Sequence, residues 1–264
     1  MSWRAELVAI WAFALRNLLM AARNVFFVFE LTFWPVINVL SIGLMTRFLG
    51  LSSEQGLFVL VGQMAFSTVQ VCQLDVSYAV LFDVWSKSMK HQFLAPIGVR
   101  HLTIGAWLVG VVRGLSVFTL QAVLAAWAFG FDVRGAGLAV LAAFLAGCFL
   151  TSWIVGVLVC TLIMLFGSRA ETSAWATVNL VVVLAGIYYP VSMLPDSVAA
   201  IAKAIPLTYF LDAYRAQYGF PSEFAAPLTT GFALALGYVI VSHWGLAGAV
   251  RHTRRSGLLL KMSE

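Results

Sequence analysis

Residues 188–215 read YYPVSMLPDSVAAIAKAIPLTYFLDAYR. The stretch is apolar enough for a bilayer, yet Pro190, Pro195 and Pro206 divide it into pieces too short to cross one. A proline lacks a backbone donor and holds its predecessor in extended geometry, so helices start and stop around it. Pro195 and Pro206 therefore bracket a helix of only ~15 Å, at 1.5 Å per residue. A second helix is expected from Pro206, with Leu207, Phe210, Leu211, Tyr214 and Tyr218 along one side and Asp212 and Arg215 elsewhere. Broken backbone is not tolerated against lipid unless protein buries it. The expectation is a pair of short helices that dips into one leaflet and packs against spanning helices.

The remainder of the chain supplies those spans. Of its 264 residues, 62% are hydrophobic and 10% charged, with a mean hydropathy of +0.95. A soluble domain carries about 25% charged residues, and no water-facing surface can be built from so few. The chain reads as an all-α polytopic membrane protein forming one domain over residues 1–264. An apolar run of about 20 residues crosses the ~30 Å hydrocarbon core as a helix. Six runs qualify: Phe26–Leu49, Leu57–Phe82, Leu102–Phe129, Gly137–Phe166, Thr172–Tyr189 and Pro227–Val250.

Loop charge sets the orientation, because cytoplasmic loops collect Lys and Arg. With the N-terminus inside, that side holds Arg4, Arg16, Arg23, Lys87, Lys90, Arg100, Arg169, Arg251, Arg254, Arg255 and Lys261. The other side holds Arg47, Arg134, Lys203 and Arg215, and both termini are expected in the cytoplasm. The pI near 9.3 follows from the same bias and calls for no nucleic acid. Residues 1–24 read as an amphipathic helix on the inner leaflet, the alternative being an early start of the first span. Its Trp3, Leu7, Ile10, Trp11, Ala14 and Leu18 recur at helical spacing. The tail over 251–264 reads as a basic anchor beside anionic lipid. No cleavable signal peptide is expected, since Glu6, Arg16 and Asn17 interrupt the apolar core it needs. Cys72, Cys148 and Cys160 lie inside apolar runs and fit packing roles, and the four scattered histidines form no metal cluster.

The stretch Gly186–Arg215 closely resembles the signature of bacterial type-2 ABC transporter permeases, the membrane subunits of type V exporters. The matching residues are Gly186, the aromatic pair before Pro190, Leu194–Pro195, Pro206–Leu207–Thr208 with Tyr209, and Arg215. A second likeness is Asp83–Val99, DVWSKSMKHQFLAPIGV, where Leu94–Ala95–Pro96 precedes the third span. The resemblance implies that this loop carries a coupling helix docking onto an ATP-binding subunit, through Lys87, Lys90, His91, Phe93, Leu94 and Pro96. Read on charge alone, it is a solvated basic loop. The resemblance further implies a re-entrant hairpin between spans five and six, two ATPase copies, a permease homodimer (or a heterodimer, which would look the same) and the bacterial inner membrane.

The chain has no G-x-x-x-x-G-K-[ST], H-E-x-x-H or G-x-S-x-G. It is therefore not expected to be an enzyme, and ATP and Mg would be bound by the partner subunit.

Charges within apolar spans are functional candidates by default. Asp75 and Arg113 lie at depths differing by about 6 Å on neighbouring spans, within reach of a guanidinium arm. They fit a buried salt bridge, or a switch or substrate contact. Gln63, Gln70 and Gln73 share one helical face, either lining a path or bonding the next helix. Glu30 is expected to pair with Arg16 or Arg23 and anchor the N-terminal helix. The aromatic content fits an amphiphilic substrate. The resemblance implies export of a drug or glycolipid, because Ile205–Pro206 stands where the polysaccharide exporters often have Asn-Pro; export of lipid-linked polysaccharide, such as O-antigen or a teichoic-acid-like polymer, is the alternative. A secondary transporter would need a midplane ion site and inverted repeats, and a membrane enzyme a catalytic constellation; neither is visible.

Overall fold

The computed structural model describes residues 3–23, 25–89 and 98–256, and at 21, 25–28 and 30–32 the backbone alone. Its described residues are helical, with short 3-10 turns and no strand. In chain order the helices are α1 (Trp3–Arg23), α2 (Val25–Phe48), α3 (Ser53–Trp85), α4 (Val99–Phe129), α5 (Leu138–Phe166), α6 (Ser173–Leu184), α7 (Asp196–Ala202), α8 (Pro206–Ala216) and α9 (Pro227–Arg255). Helix α3 is the centre of the bundle, touching α2, α4, α5, α6 and α8. Helix α9 packs on α5 and α8, and α1 lies along α4.

Local signals explain where these helices begin. Ser52 and Gln55 form a reciprocal capping box at the start of α3, the Ser52 hydroxyl accepting from the Gln55 N–H at 3.2 Å and the Gln55 side chain accepting from the Ser52 N–H at 3.1 Å. Pro206 and Pro227 open α8 and α9 from the first turn, where the missing donor costs nothing. Pro35 instead lies inside α2, removing one rung of its hydrogen-bond ladder.

Among the described residues, four helical stretches are long and apolar enough to cross a membrane: Ser53–Trp85, Val99–Phe129, Leu138–Ala170 and Pro227–Arg255. The six runs expected from hydropathy meet this requirement only in part. Helix α2 has 24 residues, of which Phe33–Phe48 form the apolar stretch with described side chains, and α6 has 12 residues. The expected fifth run, Thr172–Tyr189, ends as a helix at Leu184, because Gly186 turns the chain at φ 68°. At 1.5 Å per residue α6 is about 18 Å long, well short of a full crossing.

The core divides along the bundle axis. One cluster joins Leu60, Met64, Phe144, Phe210 and Tyr214 around the hairpin end, and the other joins Val76, Val80, Leu102, Ile163 and Met164 towards the opposite end.

Candidate functional site

At one end of the bundle the chain between α6 and α9 forms the short helices α7 and α8. The seven residues of α7 follow Pro195, and α8 starts at Pro206. Side chains of α8 satisfy the last carbonyls of α7: the Thr208 hydroxyl donates to Ala202 O at 3.0 Å and the Tyr209 hydroxyl to Lys203 O at 2.8 Å. Leu207, Phe210, Leu211 and Tyr214 are buried, the face expected from the sequence. Arg215, expected elsewhere, is buried with them at 4% exposure. Its Nη1 donates to Gly186 O at 2.7 Å, and its Nη2 to Ile187 O at 2.6 Å and Phe58 O at 3.0 Å. The guanidinium also lies over the Phe58 ring, 3.4 Å from the centroid. One side chain thus clamps the turn after α6 to the first turns of α3. Pro190 and Leu194 flank the 3-10 turn Val191–Met193 that leads into α7.

Midway along α3 a groove of about 440 Å³ opens between α2, α3, α4 and α6. Its wall holds Trp34 and Asn38 from α2, Phe66, Gln70, Leu74 and Tyr78 from α3, Arg113 from α4, and Trp175 and Asn179 from α6. Arg113 Nη1 donates to Asp75 Oδ1, joining α4 to α3, with side-chain exposures of 12% and 8%.

The glutamines expected to form one stripe have three different duties. Gln70 faces the groove. Gln73 donates to Ala174 O at 2.9 Å, tying the start of α6 to α3, while Gln63 accepts from the Tyr188 hydroxyl just past the end of α6. Gln63 also donates to the Ser67 hydroxyl at 2.9 Å, which takes a second donor from Gln121 at 2.9 Å. Gln121 reaches Pro35 O at 3.1 Å as well. Tyr188, Ser67 and Gln121 thus extend a polar chain to α2 at Pro35.

At the opposite end, Arg16 Nη1 donates to Asp83 Oδ1 at 3.2 Å and links α1 to the last turn of α3. Asp83 is thus the partner that Arg16 meets among the described residues, where the sequence suggested Glu30 as a partner for Arg16 or Arg23. The Glu30 side chain lies outside the described residues, and Arg23 is exposed at the end of α1. Glu6 holds α1 to the start of α4, accepting from Arg100 and meeting His101 Nε2 at 2.8 Å. The His101 hydrogen bond first, and then the Arg100 charge, keep the Glu6 carboxyl below its ordinary value of 4.5. The other His101 ring nitrogen accepts from the Gly98 N–H at 2.9 Å and caps α4.

Asp83–Trp85 belong to α3 rather than to a loop. Lys87 follows in a left-handed conformation, φ 56°. Lys90, His91, Phe93, Leu94 and Pro96 lie outside the described residues.

The family model described as ABC-2 type transporter matches residues 8–218. The chain belongs to this family. It is an ABC transporter permease, a non-catalytic multi-pass membrane subunit, and the family implies an ABC ATPase partner. A protein of Archaeoglobus fulgidus described only as uncharacterized is 40% identical over 53 residues, which cover 20% of the permease and 83% of that protein.

The matched region of the permease runs from α1 to just past Arg215, so it takes in the groove, the clamp and the Arg16–Asp83 link. Sequence reasoning missed Glu6, Asp83, His101, Gln121 and Tyr188. Asp83 and His101 sit beside runs that hydropathy assigns to loops. Only their pairing with α1, far away in sequence, marks them as structural.

Proposed function

We propose that the permease is the transmembrane subunit of an ATP-driven exporter that moves an amphiphile outward across the bacterial inner membrane. The observation that carries this reading is the groove's position. Gln70 lies about 26 Å from the start of α3 and about 22 Å from its end at 1.5 Å per residue, so the groove opens near the middle of the longest helix. It joins aromatic walls to a few polar groups, as sites for amphiphiles do.

In this reading α2 and α6 complete a set of six membrane segments. The hairpin α7–α8 re-enters the outer leaflet, buried by α3 and α5, and both termini face the cytoplasm. The one domain is residues 1–264, with α1 on the inner leaflet and the basic tail beside anionic headgroups. The segment between α3 and α4 contains the coupling helix, through which two ATPase copies, binding ATP and Mg, drive a permease homodimer. The Arg16–Asp83 and Glu6–His101 links flank that segment on both sides, which supports a rigid seat for it. A drug or glycolipid is the substrate class, with lipid-linked polysaccharide as the alternative.

Inverted vesicles carrying the permease and its ATPase test the reading. A fluorescent amphiphile is expected to accumulate inside with ATP and not with ATP plus vanadate. Accumulation driven equally well by an ion gradient, without ATP, would replace the exporter with a secondary transporter.

A further inference from the structure

Two amides on the groove wall keep their hydrogen bonds unspent. Among the described residues, the side chain of neither Asn38 on α2 nor Gln70 on α3 makes a hydrogen bond, and both line the groove. The amides around them are committed. Gln63 joins Ser67 and Tyr188, Gln73 reaches Ala174 O, and Gln121 reaches Ser67 and Pro35 O. Asn179, on the same wall, donates to Trp175 O at 2.8 Å. Polar side chains at membrane depth are costly and belong where protein or a water-filled cavity meets them, and an amide taken from water without a partner is unfavourable.

We propose that Asn38 and Gln70 are specificity residues and select an amphiphile whose head bears several hydroxyls, a sugar or another polyol; this rests on reading the groove as the transport path. An amide accepts through its carbonyl and donates through its NH2, and a hydroxyl likewise does both. Successive hydroxyls on one ring therefore satisfy both ends of each amide. An ionised carboxylate only accepts, and a quaternary ammonium does neither, so each leaves part of the two amides unpaired. The requirement concerns donors and acceptors and is independent of the charge that Arg113 and its partners bring. Trp34 and Trp175 are exposed on the same wall and supply flat apolar surface for the ring face and the tail. A site built to bond a hydroxyl rejects an analogue without it, because its own polar groups are then left unpaired.

The test uses the full permease in nanodiscs of zwitterionic phosphatidylcholine. Two probes share one brominated alkyl tail and differ in head: glucosyl, or tetra-O-methylglucosyl, the same ring with its donors capped. Binding is read as tryptophan quenching, and the groove's share is the part lost in a Trp34→Phe/Trp175→Phe variant. The glucosyl probe is expected to bind about tenfold more tightly than the capped one, a difference of about 1.4 kcal/mol.

The informative variant is Asn38→Leu/Gln70→Met, which removes both amides at nearly constant size and makes both segments more apolar. It is expected to bring the two probes to within about twofold of one another, a few tenths of a kcal/mol. Groove-specific quenching with no preference between the heads overturns the amide assignment and leaves the path reading standing. So does a preference that survives in the variant, which would mean that the added methyl groups are excluded by size. Loss of self-association in the variant, with no head preference in the wild type, assigns the amides to a contact between copies and equally overturns the proposal. No groove-specific quenching by either probe overturns the path reading itself. Adding a two-chain glucosyl diacylglycerol separates sources: displacement of the probe assigns the site to glycolipids, persistence to single-chain glycosides, and either satisfies the proposal.

Discussion

A Cβ placed on Gly62 would lie 1.8 Å from the carbonyl oxygen of Ile187, so the turn after α6 rests directly on the backbone of α3. The same carbonyl accepts from Arg215, which makes this contact the floor of the hairpin clamp. Gly62→Ala is expected to push the turn off α3. Overpacking of this kind costs about 1–3 kcal/mol. Thermal unfolding of the purified permease checks it; an unchanged midpoint would mean that the turn does not sit on Gly62.

Arg215 answers three carbonyls at once, from Gly186, Ile187 and Phe58. A lysine carries the charge but not the planar fork. Arg215→Lys is therefore expected to lose most of the clamp, and hydrogen bonds to charged groups contribute about 1.5–3 kcal/mol. The readout is protease sensitivity of the connection 217–226, which is held to α8 through Asp212. Wild-type resistance in the lysine variant would show that charge alone suffices.

Lys87 occupies a position that favours glycine. The end of α3 is closed by Lys87 N–H to Val84 O at 3.1 Å and Ser88 N–H to Asp83 O at 3.0 Å, the pairing of a Schellman cap. With φ at 56°, Lys87→Gly is expected to raise stability by roughly 0.5–1 kcal/mol. Lys87→Val, β-branched, is expected to lower it. If the proposed coupling role resides in the Lys87 charge, the glycine variant also hydrolyses ATP without transport. Equal stabilities of both variants would remove the backbone argument.

Glu6 predicts a pH dependence for the docking of α1. Its carboxyl titrates below the ordinary 4.5, so the folded state favours the ionised form. The contribution is fully present above 4.5 and is lost as pH falls through the lower folded value. A spin label on α1 is expected to gain mobility over that acidic window, and Glu6→Gln is expected to show the mobile state already at neutral pH. Identical mobility of variant and wild type at neutral pH would place the anchor elsewhere.

The prolines of 188–215 already mark out the hairpin in the sequence, because proline acts locally. Pro195 precedes α7 and Pro206 opens α8. The end of α6 is not visible in the same way. Hydropathy counts Ala185–Tyr189 as more of the same run, whereas the left-handed turn at Gly186 stops the helix. Counting residues puts Asp75 and Arg113 at similar depths, and the structure joins them. Periodicity places Gln63, Gln70 and Gln73 on one side of α3, towards α6, but the neighbour at each height decides what each one does. Arg16 finds Asp83 67 residues away, and no local pattern encodes such a pairing.

The most direct measurement is co-expression of the permease with a candidate ABC ATPase from the same genome, purification through a tag on the permease, and an assay of ATP hydrolysis. A stable complex with vanadate-sensitive activity is expected. A permease that purifies alone, with no ATPase retained and no hydrolysis at any ratio, would contradict the exporter.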